Sequence, residues 1–356
     1  MRVQLVDPSA FTPPYDRSLA AALARTGVDV ELVTSRFLYG TVPAADGYEV
    51  KELFYRRSGG RRLAKLAEHV PDMLRYRSEA ARADLVHWQW LSVEQIDQWL
   101  LPGKRPRVLT AHNVVAHEQR AGQESARRRL LRAMDAVVVH SQHGASQAER
   151  LGADPTRVHV IPHGALDYLR RQPGEAPLPD ELAAVEGPVV LFFGLIRDYK
   201  GVDVLLRAWR SVPDAELWIV GAPRVDLEPL RAAAPERVRF VPRFVDDLEL
   251  PAYFRRADVV ALPYRAADQS GVFATGLAFG KAMVVSDVGG FGEPGVARMV
   301  PPGDEEALAE ALRELLSDPA ARADLAAKAA SAAAGDYSWD AVAQRTVALY
   351  RQLLNR

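Results

Sequence analysis

The segment from Pro188 to Leu206, PVVLFFGLIRDYKGVDVLL, constrains the fold more than any other part of the chain. Its β-branched, apolar beginning has the length of a buried parallel strand and ends at Gly194. Apolar residues recur at helical spacing after Gly201, so the segment predicts a strand, a tight turn and a helix. Arg197 and Lys200 lie in that turn, beside the free N–H groups of the helix N-terminus. These charges and the helix dipole favour an anion such as a diphosphate, and solvated side chains on a surface loop are the alternative.

Composition excludes several classes of protein. A chain of 356 residues can form two domains with separate cores, and 48% apolar with 26% charged residues is ordinary for a globular protein. The net charge of −1 argues against general nucleic-acid binding, and the lack of cysteine excludes disulfides, thiolate catalysis and zinc–thiolate sites. No apolar run approaches the roughly 20 residues of a membrane span, and the N-terminus does not resemble a secretory signal. A cytoplasmic protein is therefore expected.

Both halves of the chain alternate short apolar strands with amphipathic helices, which is typical of doubly wound α/β domains. The first half is predicted to hold strands at Val3–Val6, Val30–Thr34, Leu85–Trp90, Val108–Ala111, Ala136–His140 and Val158–Ile161. The second half is predicted to hold strands at Val189–Phe193, Glu216–Val220, Val238–Val241, Val259–Leu262 and Ala282–Ser286. The proline-rich loop from Asp7 to Tyr15 is expected to be extended and not helical.

The predicted domain boundaries follow from this alternation. An N-terminal domain is expected at 1–165 and a C-terminal domain at 188–338, with a final helix at 339–356. The stretch 166–187 is rich in proline, glycine and acidic residues and is interpreted as a linker. Two such domains are expected to face each other across a cleft at the carboxyl ends of their strands.

The arginine-rich segment from Arg56 to Arg82 carries one apolar stripe. The stripe is formed by Leu63, Leu66, Ala67 and Val70. A basic amphipathic helix of this kind can dock on anionic lipid. The favoured interpretation is an ordinary surface helix whose stripe faces its own core, because the acidic residues Glu68, Asp72 and Glu79 dilute the charge.

Polar residues follow the predicted strand that ends at Ala111. His112 and Asn113 come directly after it, and His117 and Glu118 follow. Open α/β sheets bind ligands just past the carboxyl ends of their strands, so His112 is a candidate hydrogen-bonding or acid–base group. A histidine that only caps the turn is the alternative. The spacing of the two histidines is not that of a zinc metalloprotease and no third ligand is apparent, so no metal is expected.

A second constellation lies between Leu262 and Gly292. It passes through the polar turn Asp268-Gln269-Ser270-Gly271 and then enters a helix. Backbone N–H groups of Ser270, Gly271 and Val272 at that helix N-terminus would form a second anion cradle. Asp268 could accept hydrogen bonds from hydroxyl groups.

These residues resemble those of the retaining glycosyltransferases of family 4, which have the GT-B fold of two Rossmann-like domains. The family pattern G-x-x-x-x-x-K-G matches Gly194 to Gly201, and the family's helix before G-K/R-P-V-V matches Val272 to Lys281. The hinge of the family resembles 161–167, and the segment that flanks its nucleoside pocket resembles 244–263. The resemblance implies a nucleotide-diphosphate-sugar donor, a hydroxyl acceptor, and no metal or other cofactor. It also implies front-face attack, in which the leaving phosphate helps to deprotonate the acceptor.

The resemblance and the position of each residue assign three sets of site residues. Catalytic roles are expected for Arg197, Lys200, His112 and Asp268. Donor binding is expected for Gly194, Ser270, Gly271, Val272, Thr275 and Arg243. Acceptor binding is expected for Tyr15, Asp16, Trp88, Asn113 and Glu118. The final helix is expected to cross back onto the N-terminal domain.

Two departures from the family pattern leave alternatives open. The family usually places two Glu residues eight positions apart across the donor loop, where this chain has Ala267 or Asp268 and then Thr275. Thr275 offers only a neutral hydrogen bond in place of a carboxylate. Pro13 and Pro14 replace the usual glycine pair of the first loop. The missing Glu leaves a catalytically silent nucleotide-sugar-binding protein as one alternative. A nucleotide-sugar epimerase or a phosphorylase with the same two-domain shape is the other.

Overall fold

The computed structural model describes residues 1–38, 40, 42–103, 105–115 and 122–355. It divides the chain into two compact units. The first unit comprises Met1–Gly164 together with Ser338–Arg356, and the second comprises Ala165–Tyr337.

The first unit is a parallel sheet of seven strands with helices packed on it. The strands are β1 Arg2–Asp7, β2 Asp29–Ser35, β3 Glu49–Phe54, β4 Leu85–Trp88, β5 Arg107–Thr110, β6 Ala136–Val139 and β7 Val158–Val160. The helices are α1 Pro13–Arg25, α2 Arg62–Glu79, α3 Glu94–Leu100, α4 Gln123–Ala133 and α5 Gln142–Arg150. The strand order is β3-β2-β1-β4-β5-β6-β7, so the direction of winding reverses between β1 and β4.

The second unit repeats this plan with six parallel strands. The strands are β8 Val189–Phe193, β9 Glu216–Val220, β10 Val238–Val241, β11 Val259–Leu262, β12 Ala282–Ser286 and β13 Arg298–Val300, in the order β10-β9-β8-β11-β12-β13. The helices are α6 Asp180–Ala183, α7 Val202–Trp209, α8 Glu228–Ala233, α9 Leu250–Arg256, α10 Gly271–Ala278, α11 Glu305–Ser317 and α12 Pro319–Ala334. Here the winding reverses between β8 and β11. The last helix, α13 Trp339–Leu354, belongs to the first unit.

The central strands form because both of their faces are covered. All five residues of β8 and all four of β11 are buried, which explains why these segments are almost continuously apolar. The helix α7 covers them with Val202, Leu205, Leu206 and Trp209. A fully buried aliphatic or aromatic side chain contributes about 1.5–3 kcal/mol, so this sheet holds its carboxyl-end loops on a rigid frame.

The sequence predictions agree with most of these elements and fail at particular places. The five strands predicted in the second half match β8 to β12 residue for residue. The edge strands β3 and β13 were not predicted. The helix α1 begins at Pro13, two residues before the end of the loop expected to be extended, because proline is tolerated in a first helical turn.

The stretch predicted as a linker packs on the second unit. It contains the short helix α6 and a 3₁₀ turn at Asp167–Arg170. Leu169 and Leu182 are buried in the core of the second unit, and Tyr168 donates a hydrogen bond to Asp247 Oδ2 at 2.7 Å. These apolar and polar contacts hold a segment whose composition alone suggests a flexible chain.

The apolar stripe of α2 faces away from the core, contrary to the favoured interpretation of the sequence. Leu63, Leu66 and Val70 are all exposed. The core-facing side of the helix instead buries His69, Asp72, Met73 and Tyr76. The polar members of that set are buried because they hydrogen-bond within the unit, which hydrophobic periodicity does not register. None of the helices among the described residues is long and apolar enough to cross a membrane.

The helix α13 is anchored to the first unit through buried contacts. Tyr350 pairs with His87 of β4, its hydroxyl oxygen lying 2.6 Å from Nδ1, and Trp339 packs edge-on against Tyr15 with ring centroids 5.1 Å apart. Trp339 also lies directly on Gly164, where a Cβ atom would come within 2.5 Å of the indole ring. The chain can therefore pass under Trp339 only because residue 164 has no side chain.

We expect Gly164→Ala to lower the free energy of unfolding by about 2 kcal/mol, because the added methyl group would clash with Trp339 and displace α13 from its packed position. Urea unfolding would measure the loss. Gly103→Ala is the matched control, since a Cβ atom at Gly103 meets no atom within 4 Å among the described residues. Equal stability of the two variants would contradict the close packing of Trp339.

Candidate functional site

The β8–α7 turn, residues 194–201, follows the strand at which the winding of the second sheet reverses. Gly201 caps α7 in the left-handed region with φ of 67°, and a Cβ atom there would lie 2.0 Å from the carbonyl oxygen of Pro263. Only glycine permits that approach. The close approach fixes the turn against the loop that follows β11, the adjacent strand.

Lys200 is the central feature of this turn. Its side chain is buried, with 8% exposure, and its ammonium group lies 5.0 Å from the centroid of the Tyr264 ring. Within the described part of the chain no carboxylate pairs with it. The ammonium is also 2.9 Å from the position that a Cβ atom of Gly194 would occupy, so it points back over the start of the turn. A buried cation without an anion is costly, and such a group in a turn beside a helix N-terminus suits an anionic ligand.

A second cation holds the turn in shape. Arg265, just after β11, binds Asp203 of α7 through both terminal nitrogens, at 2.8 and 2.5 Å. The same side chain donates to the carbonyl oxygen of Asp198 at 2.7 Å, and the Arg265 amide donates to the carbonyl oxygen of Tyr199. This bidentate pair is geometrically specific. Arg265 therefore acts on the position of Lys200 through the backbone that carries it.

The start of α10 differs from the prediction of a cradle of three free amides. Ser270 is the N-cap of α10, and its hydroxyl oxygen accepts hydrogen bonds from the amides of Val272 and Phe273 at 3.2 and 3.4 Å. A serine N-cap satisfies its own helix in this way. The amide of Val272 is thus partly occupied, while its side chain lies beside Gly194, with Cγ2 3.2 Å from the position of a Cβ atom there. Gly271 lies at the same helix start.

The remaining residues predicted on the donor side, Thr275, Asp268 and Arg243, differ in burial and in their hydrogen bonds. Thr275 is buried and donates its hydroxyl proton to the carbonyl oxygen of Gly271 at 2.8 Å, so it has no proton left to donate to a ligand. Asp268 is buried beside the glycine loop that begins at Gly289, where a Cβ atom would lie 3.1 Å from the Asp268 carbonyl oxygen. Arg243 is exposed and forms a two-bond ion pair with Glu249, which raises the pKa of Arg243.

In the first unit, three histidines at the ends of β5, β6 and β7 form a buried cluster with Tyr15. His112 lies edge-on to Tyr15 with centroids 4.6 Å apart and stacks on Trp90 at 4.9 Å. His140 and His163 pack on the other sides of Tyr15, at 5.4 and 4.9 Å. Because β5, β6 and β7 are neighbours in a parallel sheet, residues distant in sequence meet at one edge.

The hydrogen bonds of this cluster determine which nitrogen of His112 carries the proton. His140 Nδ1 is 3.0 Å from the carbonyl oxygen of Ile161 and must donate, since a carbonyl can only accept. His140 Nε2 of a neutral ring then accepts from His112 Nδ1 at 3.0 Å. His112 is therefore protonated at Nδ1, and its Nε2 has a lone pair with no partner among the residues described. A buried acceptor of this kind is suited to a ligand hydroxyl.

Burial keeps these histidines neutral. Desolvation lowers the pKa of His140 to about 3 and that of His163 to about 4, and it lowers the pKa of His112 well below its usual range. Mutual repulsion between the rings adds to the effect for His112 and His140. Of the two roles the sequence left open, hydrogen bonding fits His112 better than proton transfer near neutral pH.

Two predicted acceptor-binding residues have structural roles instead. Tyr15 is buried in the histidine cluster, and Asp16 is buried beside Asp7. Burial and the charge of Asp7 raise the pKa of Asp16 well above its usual range, so Asp16 carries a proton and donates it to Asp7. Asp7 in turn accepts from the amides of Phe11 and Thr12, at 2.5 and 3.2 Å. The pair fixes the loop after β1.

The other three residues predicted to bind the acceptor are Trp88, Asn113 and Glu118, and the structure gives a different result for each. Trp88 is fully buried and packs on Tyr76, so it cannot contact an acceptor, and the half-buried Trp90 is the indole that lies beside His112. Asn113 is half-buried, and its carbonyl oxygen accepts from Arg127 at 3.0 Å. Glu118 lies outside the described residues.

Sequence reasoning missed Tyr264, Arg265, His140 and His163. Each follows the carboxyl end of a strand, which is the signal that could have found them. Their roles depend on contacts between different loops, and those contacts leave no spacing pattern in the sequence.

The comparisons with known proteins show the family and the fold of the chain. Residues 187–318 match the model of the family described as glycosyl transferases group 1, and residues 16–165 match that of glycosyltransferase family 4. A D-inositol 3-phosphate glycosyltransferase of Xylanimonas cellulosilytica is 30% identical over 96% of this chain and 91% of the relative.

Solved structures are similar along the whole chain. Sucrose-phosphate synthase from Thermosynechococcus elongatus has a TM-score of 0.80 at 22% identity. The match covers 100% of this chain and 99% of the synthase chain. HepE of Anabaena, in complex with UDP and glucose, has a TM-score of 0.76 at 18% identity over 99% of this chain and 100% of its own. The two units thus share the fold of these proteins.

Proposed function

The chain belongs to glycosyltransferase family 4, the glycosyl transferases of group 1, and on that premise we propose that it transfers a hexose from a UDP-sugar to a hydroxyl acceptor. We further propose that the configuration at the anomeric carbon is retained and that no metal is required. The second unit binds the donor, and the first unit supplies the acceptor side.

The observation that carries this proposal is the buried Lys200 in the β8–α7 turn. Its ammonium lies over the Tyr264 ring and pairs with no carboxylate of the described residues, in a turn that the Arg265–Asp203 pair holds rigid. A diphosphate would supply the missing anion. The UDP bound by HepE, whose fold is similar, supports a uridine nucleotide as the probe of choice.

In the proposed reaction the bond between the anomeric carbon and the diphosphate oxygen breaks, and a bond to the acceptor oxygen forms. The acceptor proton moves to the leaving phosphate. Negative charge grows on the diphosphate as the bond breaks, and Lys200 and Arg197 stabilise it electrostatically. Helix α7 adds the positive end of its dipole at Gly201. His112 accepts a hydrogen bond from a sugar hydroxyl through Nε2.

The departure at Thr275 bears on donor affinity. A carboxylate would accept hydrogen bonds from ribose hydroxyls through two charged oxygens, whereas the Thr275 hydroxyl already donates to Gly271. Asp268 is the buried carboxylate nearest to it in sequence and would accept from the donor sugar. Weaker ribose contacts leave more of the binding energy to the diphosphate.

We expect UDP to raise the free energy of unfolding by about 2.7 kcal/mol at 100 times its dissociation constant. Thermal unfolding with UDP, ADP and GDP, each with and without an attached glucose, would identify the donor class. UDP release from UDP-glucose, measured with a panel of saccharide and polyol acceptors, would then test transfer.

The alternatives separate in the same assay. Binding of UDP-glucose without release, with every acceptor tried, would mean a catalytically silent nucleotide-sugar-binding protein. Conversion of the sugar without transfer would mean an epimerase. No stabilisation by any of these nucleotides would overturn the assignment of the β8–α7 turn.

A further inference from the structure

The helix α2 presents a continuous apolar face to solvent. Its exposed large side chains are Leu63 at 84%, Leu66 at 53%, Val70 at 37% and Leu74 at 50% of full exposure. The spacings of three, four and four residues place them along one side of the helix. We call these four residues the α2 stripe. Scattered exposed leucines need no explanation, but a contiguous face of four points to an interaction surface.

The orientation of the stripe is fixed by buried polar contacts on the other side of α2. His69 Nε2 lies 2.5 Å from Asp97 Oδ1, and the Tyr55 hydroxyl lies 2.7 Å from His69 Nδ1. Asp72 accepts from the amide of Tyr55 at 2.8 Å. Rotating the stripe inward would break these bonds and expose Met73, so the helix cannot bury its leucines in its own unit.

The charge around the stripe is positive. Residues 56–82 contain eight Lys or Arg and three Asp or Glu. The three acidic residues are engaged, Glu68 with the amide of Arg57, Asp72 with Tyr55 and Arg75, and Glu79 with Lys51 and Arg82. In the part of the chain that the structure describes, Arg61, Arg62 and Arg77 have no acidic partner and flank the stripe at its two ends.

We propose that α2 docks the first unit on the surface of an anionic phospholipid bilayer, with the α2 stripe at the boundary of the acyl chains and the arginines on lipid phosphates. Apolar residues beside unpaired arginines match the two layers of such a surface. A second copy of the chain is the less suitable occupant, because a two-fold contact through this face would place the same arginines opposite each other. The proposal goes beyond sugar transfer, since it states where the enzyme works.

Vesicle co-sedimentation of the full chain tests the proposal. We expect binding to phosphatidylcholine vesicles that contain phosphatidylglycerol and little binding to pure phosphatidylcholine, with an affinity that falls as salt rises. Leu63→Gln combined with Leu66→Gln should reduce binding about 10-fold or more. Arg62→Gln combined with Arg77→Gln should reduce it about 25-fold, since each arginine near such a surface contributes about fivefold.

The matched control is Leu354→Gln combined with Arg351→Gln, which removes an exposed leucine and an exposed arginine from α13. This variant should bind vesicles like the wild type. All variants should keep wild-type UDP release from UDP-glucose in solution, because none of these residues touches the sites described above.

Three results would overturn the proposal. They are failure of the wild type to bind the anionic vesicles, unchanged binding by the stripe variant, and a dimer in light scattering that the stripe variant dissociates. The last would assign the stripe to a second copy. Vesicle binding is measured without donor or acceptor, so its failure is distinct from failure of the proposed transferase activity.

Discussion

Replacing Lys200 with methionine should lower the turnover of UDP-glucose about 100-fold or more while making the protein more stable. The loss follows from removing a cation that stabilises growing charge on the leaving diphosphate. The gain follows because Lys200 is only 8% exposed and pairs with no carboxylate among the described residues, and a methionine fills nearly the same space without a charge to desolvate. Assays of UDP release and urea unfolding of the same samples would measure both effects. Arg197→Ala should reduce turnover to a similar extent.

Arg210→Ala is the control for Lys200→Met, because Arg210 is exposed just beyond α7 in the same unit. It should change neither turnover nor stability by more than a small amount. If Lys200→Met kept its turnover, the β8–α7 turn would not be the diphosphate site. If it were instead less stable than the wild type, Lys200 would have a structural partner and the argument from its unpaired charge would fail.

Mild acid should destabilise the first unit strongly. The buried His87, His112, His140 and His163 have pKa values lowered from an ordinary value of 6.5, to about 3 for His87 and His140 and about 4 for His163. Below pH 6.5 the unfolded chain therefore binds more protons than the folded chain, and the free energy of unfolding falls as the pH falls. Each histidine contributes up to about 1.4 kcal/mol per pH unit.

The buried carboxyl pair opposes this trend in part. Burial raises the pKa of Asp7 and Asp16, so the folded state binds more protons than the unfolded state above pH 3.8, and this contribution to stability is lost as the pH rises. The four histidines together change the free energy of unfolding more than the two carboxyl groups do. We expect a net loss of about 3 kcal/mol or more between pH 6.5 and pH 5.0.

Urea unfolding between pH 7.5 and 4.5 would measure this loss. His163→Gln should flatten the slope below pH 6.5, because it removes one of the four groups. His143→Gln, a half-buried histidine outside the cluster, is the comparison. A slope that is the same in both variants and the wild type would exclude the cluster as the cause.

The sequence was sufficient to locate the central strands of the second sheet. In β8, β9, β11 and β12 nearly every residue is buried, so each reads as a short apolar run between loops. The edge strands β3 and β13 do not have this pattern and were missed, whereas the other two edge strands, β7 and β10, were predicted. β3 and β13 each pair with a single neighbour and hold exposed residues, and their sequences contain no continuous apolar run.

The site was predictable where one local segment forms it. Gly194, Lys200 and Gly201 lie in one turn, and a strand, two glycines and a cation indicate that turn by themselves. Tyr264 and Arg265 come from the next strand in the sheet, and only strand order places them against Lys200 and Asp203. Three residues of the acceptor-side prediction, Tyr15, Asp16 and Trp88, are buried in contacts within the first unit, since a polar or aromatic residue after a strand can equally well be buried.

The sequence by itself determined that the chain forms two doubly wound units and that the β8–α7 turn lies in the second of them. It also determined that the chain resembles a glycosyltransferase family. These conclusions depend only on local periodicity and on short spacings between residues. Tertiary structure decided which groups are buried without partners and which faces stay exposed. Among the described residues it left Lys200 without a carboxylate, oriented the lone pair of His112 through His140, and turned the α2 stripe outward. The physical reason is that the cost of a buried charge or polar atom depends on every neighbour that the fold brings to it, and most of those neighbours are distant in sequence.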